Sequence, residues 1–354
     1  MCRLAKDGRR LADLVQLAIP VCRDAAKHVQ HTGPGRPPEY QEWQIALLIV
    51  VAIAHGRKSK SSQWRFLQAQ REQLLKPLGL QRFPSRATYF ERYRRAHRLF
   101  GKAIQRQGKL VLQRHVCSAR CVAGDKSMIA ARGKRPSHGK PRRGTDRQAA
   151  WGRSTHDGWV FGYSYEVLVT APKKGLVFPL LASVDPANRS EQKSFAAKVP
   201  LLPQSTRDVL LDKGYDGNEL AQAIEQRVKN RRTGRYRRKR RCLCPLIRRA
   251  GKPALGKYPQ GGQREQQRLD RQRRDAYFHS PAARRLYRRR KQCVEPFNSH
   301  LKKLFDLEDH VWHRGLDNNR TMILAAIFIY QLLVRYAFGR GQRNRQIQWL
   351  LDGL

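Results

Sequence analysis

The chain has 354 residues, of which 73 are Lys or Arg and 27 are Asp or Glu, so its formal net charge is +46. A hydrophobic fraction of 40% is enough to build a core, which excludes a fully disordered protein. So large a charge imbalance repels itself unless a polyanion neutralises it, and nucleic acid is the expected partner. The length predicts two domains, or one large domain with an appendage.

Membrane and disulfide classes are also disfavoured by the sequence. The longest apolar stretch, residues 322–333, is shorter than the ~20 residues that a membrane span needs. We therefore expect no membrane segment and a cytoplasmic location. The seven cysteines are scattered, which is typical of reduced thiols. The closely spaced pairs Cys117/Cys121 and Cys242/Cys244 lack the usual zinc spacing, so we expect thiols rather than a zinc site.

Residues 1–115 predict an all-helical, basic region. Apolar periodicity places helices over residues 1–30, 42–55, 61–75 and 85–99. Several arginines lie between the apolar positions of the last helix. Two interpretations stay open for this region, a helix-turn-helix-like DNA reader and a purely structural helical bundle.

Residues 116–354 predict a mixed α/β layer. Apolar runs predict strands over residues 120–129, 159–170, 176–184, 208–211 and 242–247. Helices are predicted over residues 190–199, 218–226, 282–305 and 316–338. The last of these helices is strongly apolar, so we expect it to be buried in the core.

A basic insertion, residues 227–275, interrupts this predicted layer. Ten of the fifteen residues from 227 to 241 are Lys or Arg. Three interpretations of this run are open: contact with a DNA backbone, a solvated loop, or a nuclear localisation signal in a eukaryote. We favour contact with a DNA backbone. The expected phosphate contacts are Arg237, Arg238, Lys239 and Arg240. Residues 248–275 are expected to be a loop.

Three acidic residues stand where phosphodiester chemistry would need them. Asp125 ends the strand in CVAGD, Asp212 ends the strand in DVLLD, and Glu295 lies in a helix-like segment with Lys302 two turns later. A strand-end Asp taken alone is usually a turn residue. Carboxylates are preferred ligands of Mg²⁺, and two such ions support hydrolysis and strand transfer at a phosphodiester. The joint pattern therefore favours a metal site.

Three neighbouring residues affect this interpretation. Pro296 disfavours helical geometry at Glu295, so we expect a new helix or a kink to begin there. Asp216 follows Asp212 closely and is expected to cap the next helix. Asp185 is expected to be a turn residue.

The motifs around the three acids resemble those of DDE transposases of bacterial insertion sequences, over about residues 35–340. LLDKGYDG and VAGDKS resemble that family's second and first Asp elements, and WGRSTHDGWVFGYSYEVLV resembles its hairpin. GRPPEYQ and FPSRATYFER resemble parts of its N-terminal helical region. The end of the family's Y-x2-R-x3-E-x6-K motif matches at Glu295 and Lys302. Lys291 stands at the motif's Arg position.

The motif's Tyr position is displaced in this chain. Arg288 occupies it, and Tyr287 stands one residue earlier.

The resemblance implies a fold and a chemistry. The fold is an RNase-H-like mixed sheet flanked by helices, preceded by an N-terminal all-helical DNA-binding region. Asp125, Asp212 and Glu295 would be the catalytic residues and would hold two Mg²⁺ or Mn²⁺ ions. The ions would activate water to nick an element end and then activate the freed 3′-hydroxyl to attack target DNA.

The resemblance also implies partners. Lys302, Lys291 and Arg290 would contact phosphates near the cleaved end of a terminal inverted repeat. A homodimer would bridge two ends and bind target DNA, at the nucleoid of a bacterial cell. Two alternatives stay open: a non-catalytic or decayed nucleic-acid-binding protein, and an RNase-H-like nuclease without strand transfer.

Two aromatic pairs receive structural interpretations. Trp151 and Trp159 are expected to pack in the core or hairpin rather than to stack on a base. His310 and His313 have ligand-like spacing but are expected in an exposed loop.

Overall fold

The protein is described by a computed structural model over residues 8–29, 39–137, 140–154, 157–229, 236–238, 240–247 and 262–341. Six helices come first: α1 (Gly8–Ala26), α2 (Glu42–Ala54), α3 (Lys60–Ala69), α4 (Arg71–Leu78), α5 (Arg86–Arg95) and α6 (His97–Gln113). The all-helical prediction for this region is confirmed, including a helix start at Ser85, whose hydroxyl accepts from the Thr88 amide.

Two of the predicted helices are each divided in two. The helix predicted over residues 61–75 breaks at Gln70, and the helix predicted through Leu99 breaks at Ala96. Neither break carries a Gly or Pro signal, so apolar periodicity alone does not reveal it. By contrast, α4 ends at Gly79, which adopts the left-handed conformation (φ +60°) that glycine tolerates.

The strands follow in the predicted order, with three additions. They are β1 (Cys121–Ala130), β2 (Ala150–Ser154), β3 (Gly158–Thr170), β4 (Pro179–Pro186), β5 (Asp208–Leu210), β6 (Arg227–Lys229), β7 (Tyr236–Arg238) and β8 (Arg241–Leu243). The added strands are β2, which forms with β3 the hairpin that the resemblance implies, and β6 and β7, which pair with each other.

The main sheet confirms the predicted RNase-H-like arrangement. β3 pairs antiparallel with both β4 and β1, while β1, β5 and β8 run parallel. The order β4-β3-β1-β5-β8 therefore joins an antiparallel meander to a parallel half, which needs helical crossovers. Those crossovers contain α7 (Glu191–Ala196) and α8 (Asn218–Glu225).

Three helices follow within the described residues: α9 (Gln263–His279), α10 (Pro281–Leu304) and α11 (Leu316–Gly339). The loop predicted over residues 248–275 is wrong from residue 263 onward. That segment contains neither Gly nor Pro and is rich in Gln and Arg, which are good helix formers. Residues 248–261 lie outside the described residues.

Helix α10 is continuous through Pro296, so the new helix expected to begin at Glu295 is wrong. The alternative, a kink at this position, stays a prediction. The N-terminus of α10 is well capped, because the Ser280 hydroxyl accepts from the Ala283 amide and Pro281 stands at the first helical position. Buried residues on one side of α10, among them Val294, Phe297 and Leu301, hold it on the sheet. This burial offsets the backbone hydrogen bond that a proline cannot make.

Helix α11 is the buried core helix that the sequence predicts. By length and composition it could cross a membrane, but 78% of its apolar window is buried inside the protein. It packs on α6, α5 and β4. Three of its polar side chains, Asn319, Thr321 and Gln331, are fully buried. Gln331 donates to the carbonyl oxygens of Ile104 (3.1 Å) and Pro179 (2.7 Å).

The hydrophobic core extends without interruption from the N-terminal helices into the sheet. Helix α1 contacts both α6 and α11, and α6 contacts β4, so the first and last described helices share one core with the sheet. The division into residues 1–115 and 116–354 stays a prediction.

The structure buries His313, which corrects its expected place in an exposed loop, while His310 is exposed. His313 is 7% exposed, and its Nε2 lies 2.9 Å from the Tyr93 hydroxyl of α5. Burial, together with the nearby charges of Lys60 and Arg132, lowers the pKa of His313 to about 3. The imidazole is therefore neutral and structural.

We expect this histidine to make folding stability fall in acid. The folded pKa lies below the ordinary ~6.5, so the stabilisation is complete above that pH and is lost as the pH falls toward about 3. The slope is about 1.4 kcal/mol per pH unit. Urea unfolding of His313→Gln against pH should show a shallower loss than wild type. His310→Gln is the matched control, and equal slopes for all three proteins would contradict this prediction.

Candidate active site

Asp125 and Asp212 come together at the end of the parallel half of the sheet. Asp125 lies on β1 beyond its pairing with β5, and Asp212 lies two residues after the end of β5. Because side chains alternate along a strand, Asp125 faces one side of the sheet while Lys126 faces the other. Helix α10 covers the side that Asp125 faces.

The guanidinium of Arg290 on α10 lies between the two aspartates. Its Nη2 atom is 2.5 Å from Asp125 Oδ1 and 3.9 Å from Asp212 Oδ2. Burial alone would lower the pKa of Arg290, but the two carboxylates raise it above its ordinary value. Both carboxylates therefore face a point that already holds one positive charge.

Asn298 also contacts Asp125 and was not identified from the sequence. Its amide nitrogen donates to Asp125 Oδ2 (2.8 Å), while its buried Oδ1 makes no hydrogen bond within the described structure. An unpartnered buried carbonyl oxygen is costly, and it is also a hard ligand of the kind that Mg²⁺ accepts. The spacing of Glu295, Asn298 and Lys302 (i, i+3, i+7) places all three on one side of α10.

The two aspartates differ in solvent exposure. The side chain of Asp125 is 17% exposed and that of Asp212 is 42% exposed. Burial raises the pKa of Asp125 to about 6, against the lowering effect of Arg290. The negative charge at Asp125 is thus unfavourable without a cation beside it.

Glu295 is exposed on α10, one turn before Asn298. In the described part of the chain, no three His, Cys, Asp or Glu side chains are close enough together to hold one ion. The structure therefore brings together two of the three predicted acids. The role of Glu295 as the third ligand stays a prediction.

A different acid, Glu191, lies near the aspartates. It begins α7, and a Cβ atom added at Gly214 would overlap its carboxylate, so it rests on the backbone of the KGYDG segment. Burial raises the pKa of Glu191, Lys126 opposes this shift, and Asp125 and Asp212 reinforce it. Glu191 begins a helix rather than ending a strand, so the strand-end criterion does not find it.

The two other acids near the motifs have structural partners. Asp216 Oδ2 accepts from the Ile247 amide and pairs with Arg271 on α9. The helix cap predicted at Asp216 is wrong, because Gly217 is the N-cap of α8 and no side chain caps that helix. Asp185 belongs to β4 rather than to a turn and pairs with Arg320 (3.4 Å).

The predicted basic contacts of α10 take three different positions. Lys291 is exposed. Lys302 donates to the carbonyl oxygen of Met128 (3.0 Å), on the strand that carries Asp125. Burial lowers the pKa of Lys302, and Asp157 and Asp125 are among the carboxylates that oppose this shift. Arg290 occupies the space between the aspartates.

The displaced Tyr of the sequence motif has a place at this site. The Tyr287 hydroxyl donates to the carbonyl oxygen of Leu211 (3.2 Å), directly before Asp212. Tyr287 and Arg290 thus reproduce the Y-x2-R spacing, so the structure places Arg290, and not Lys291, beside the aspartates. Relative to the motif, this chain has one additional residue between Arg290 and Glu295.

Arg240 is the exception among the basic residues of the insertion. Its side chain is 4% exposed and donates to the carbonyl oxygen of Leu202, which corrects the expectation that it faces DNA. β6 and β7 pair as a two-stranded sheet that carries Arg237 and Arg238. Lys239 lies outside the described residues.

The described cysteines are free thiols, and Cys242 and Cys244 are largely buried near β8. Burial raises the pKa of Cys242 to about 12. This agrees with the expected thiols.

Comparison with known families assigns most of the chain to one family. The transposase DDE domain family matches residues 118–332, which is more than half of the chain. The chain belongs to the DDE transposase family. It is a DNA transposase, and the family's activity is cleavage and transesterification of phosphodiesters. DDE transposases generally depend on divalent metal ions.

One solved structure similar to this transposase is the cryo-EM structure of the piggyBac transposase synaptic complex with hairpin DNA. The two chains share 10% sequence identity with a TM-score of 0.44, over 99% of this chain and 80% of the other. No curated protein sequence matches the chain significantly.

Proposed function

We propose that this transposase cleaves the terminal inverted repeats of a bacterial insertion sequence and joins the freed 3′-hydroxyls to target DNA, with Asp125, Asp212 and Glu295 as its catalytic carboxylates. The observation that supports the site most is the approach of Asp125 and Asp212 to one nitrogen of Arg290. Two carboxylates converge on one cation, and the unpartnered oxygen of Asn298, whose amide nitrogen contacts Asp125, is a further hard ligand, so these residue types fit Mg²⁺ or Mn²⁺.

The chain's own side chains have separable roles in this proposal. Asp125 and Asp212 would hold the ions, with Glu295 as the third carboxylate. Two bound ions supply a nucleophile made from water or a 3′-hydroxyl and neutralise the charge that develops on the phosphate. Asn298 orients Asp125 through its amide. Arg290 offers a guanidinium that can pair with a phosphate once it leaves the carboxylates.

DNA contacts would extend from this site over the basic surfaces. We propose Lys302, Lys291 and Arg290 as contacts near the cleaved end, and Arg237, Arg238 and Lys239 as contacts in the insertion. The N-terminal helices would form the DNA-binding region. A homodimer would bridge two ends in the DNA complex, in the cytoplasm at the nucleoid.

A test of this proposal uses the purified chain and DNA that contains the sequences flanking its coding region. With Mg²⁺ or Mn²⁺ we expect strand cleavage at the element end, joined products when a target plasmid is added, and neither product with EDTA. Nicks without joined products would identify a nuclease instead. DNA binding without any cleavage in either metal would identify a non-catalytic protein.

A further inference from the structure

The β2–β3 hairpin projects beyond the sheet and presents two exposed tryptophans. β1 ends at Ala130, opposite Gly162, so β3 residues before Gly162 pair only with β2. Trp159 is 63% exposed and Trp151 is 39% exposed. The expected packing is therefore wrong for Trp159, and Trp151 packs only in part, with its ring 5.4 Å from that of Phe161.

Both tryptophans lie on the side of the sheet that carries Asp125. Asp125 is opposite Val167 on β3, and Trp159 is an even number of residues from Val167, so the three share a face. Trp151 pairs with Phe161 and therefore lies on the same face. The opposite face of the hairpin is closely packed at Gly152, because an added Cβ there would come within 2.8 Å of the Ala187 Cβ.

Positive charge is concentrated on the hairpin and on the connection that leads into it. Arg153 is exposed directly opposite Trp159. The connection between β1 and β2 carries seven exposed basic residues: Arg132, Lys134, Arg135, Lys140, Arg142, Arg143 and Arg147. Its one acid, Asp146, is buried and accepts from the Tyr163 hydroxyl (2.7 Å), so it does not offset that charge at the surface.

Lys302 links the hairpin turn to the strand that carries Asp125. It donates to the carbonyl oxygen of Met128 on β1, and both Asp157, in the hairpin turn, and Asp125 oppose the lowering of its pKa by burial. At about 3.3 Å per residue, the eight residues from Val167 to Trp159 span at most roughly 26 Å. That length corresponds to about eight base pairs of duplex.

We propose that this hairpin is a DNA-contact surface on which Trp159 and Trp151 stack against unpaired bases, while Arg153 and the basic connection hold the adjoining phosphates. Exposed aromatic rings beside basic groups suit single-stranded DNA, because every base offers a face for stacking. The inference rests on the proposed DNA-processing function and adds a preference for locally unpaired DNA about eight base pairs from the cleaved phosphate.

The test is a binding measurement in EDTA, so it stays readable even if the chain cleaves no DNA. The probes are a paired duplex of arbitrary sequence and the same duplex with an internal run of mismatched bases containing 2-aminopurine. We expect wild type to bind the mismatched probe more tightly and to quench its fluorescence. Trp159→Ala should weaken binding of the mismatched probe roughly 5- to 100-fold and leave binding of the paired duplex unchanged.

Matched variants separate stacking from charge and from loss of fold. Trp159→Phe should keep most of the preference, and Phe338→Ala, which removes an exposed aromatic ring at the end of α11, should keep all of it. Arg153→Gln should weaken both probes alike and reduce the salt dependence by about one phosphate contact.

Three results would overturn the proposal: no quenching by the wild-type protein, an unchanged preference in Trp159→Ala, or equal losses in Trp159→Ala and Phe338→Ala. If Trp159→Ala shows an altered circular dichroism spectrum, Trp159→Phe and the wild-type quenching decide instead.

Discussion

We expect Asp125→Asn and Asp212→Asn each to lower the rate of DNA-end cleavage by about 10³-fold or more, with DNA binding retained. Each substitution removes a negative charge from the point where the two carboxylates converge on Arg290. Loss of a preorganised group that stabilises the transition state has an effect of this order. The measurement is single-turnover cleavage of a labelled element end, together with a binding assay on the same DNA.

Asp185→Asn is the matched control, because Asp185 is also an aspartate of the main sheet but pairs with Arg320. It should cleave at a rate close to wild type. Cleavage that persists in Asp125→Asn or Asp212→Asn would show that the site is wrongly assigned.

The same assay decides the third carboxylate. We expect Glu295→Gln to lose cleavage as the aspartate variants do. Glu191→Gln tests the acid that the structure places near Asp125 and Asp212. Loss of cleavage in Glu191→Gln with near-normal cleavage in Glu295→Gln would assign the third position to Glu191.

We expect Gly162→Ala to lower the free energy of unfolding by about 3 kcal/mol or more. An added Cβ would overlap the carbonyl oxygen of Ile129 and come within 2.8 Å of the Ala131 nitrogen. These are backbone atoms of β1 and its end, so relief requires the β1–β3 ladder to separate. The measurement is the midpoint of urea unfolding, with the slope compared between variants.

Gly158→Ala is the control for this prediction. Gly158 lies in the same hairpin with φ +69° and open space around it, so its loss is conformational only. We expect about 1 to 2 kcal/mol. Equal and small losses in the two variants would contradict the close packing of β3 on β1.

The active-site aspartates were predictable because each one follows an apolar run. An apolar run that leads into a carboxylate is visible in CVAGD and DVLLD without any tertiary information. The strand end predicted at Asp125 is wrong, because β1 continues to Ala130. β2 and α9 were less visible, because β2 is a short half-exposed strand and α9 is almost entirely polar. Tertiary contacts stabilise β2 and helix propensity stabilises α9, although neither segment shows the apolar pattern typical of its class.

The sequence by itself determined the polyanionic partner, the order of most helices and strands, and the positions of Asp125 and Asp212. These follow from charge and from local periodicity, which act between residues a few positions apart. Only the tertiary structure decided that Arg290 rather than Lys291 meets the aspartates, that Asn298 contacts Asp125, and that His313 is buried while Trp159 is exposed.

The physical reason is separation along the chain. Arg290 and Asn298 lie 165 and 173 residues from Asp125, and His313 lies 220 residues from Tyr93. Which residues of a helix face such partners depends on how the helix rotates as it packs on the sheet. Turning α10 about its axis by the angle between two successive residues would bring Lys291 to the position of Arg290. The pattern of apolar positions does not define the rotation of the helix that closely.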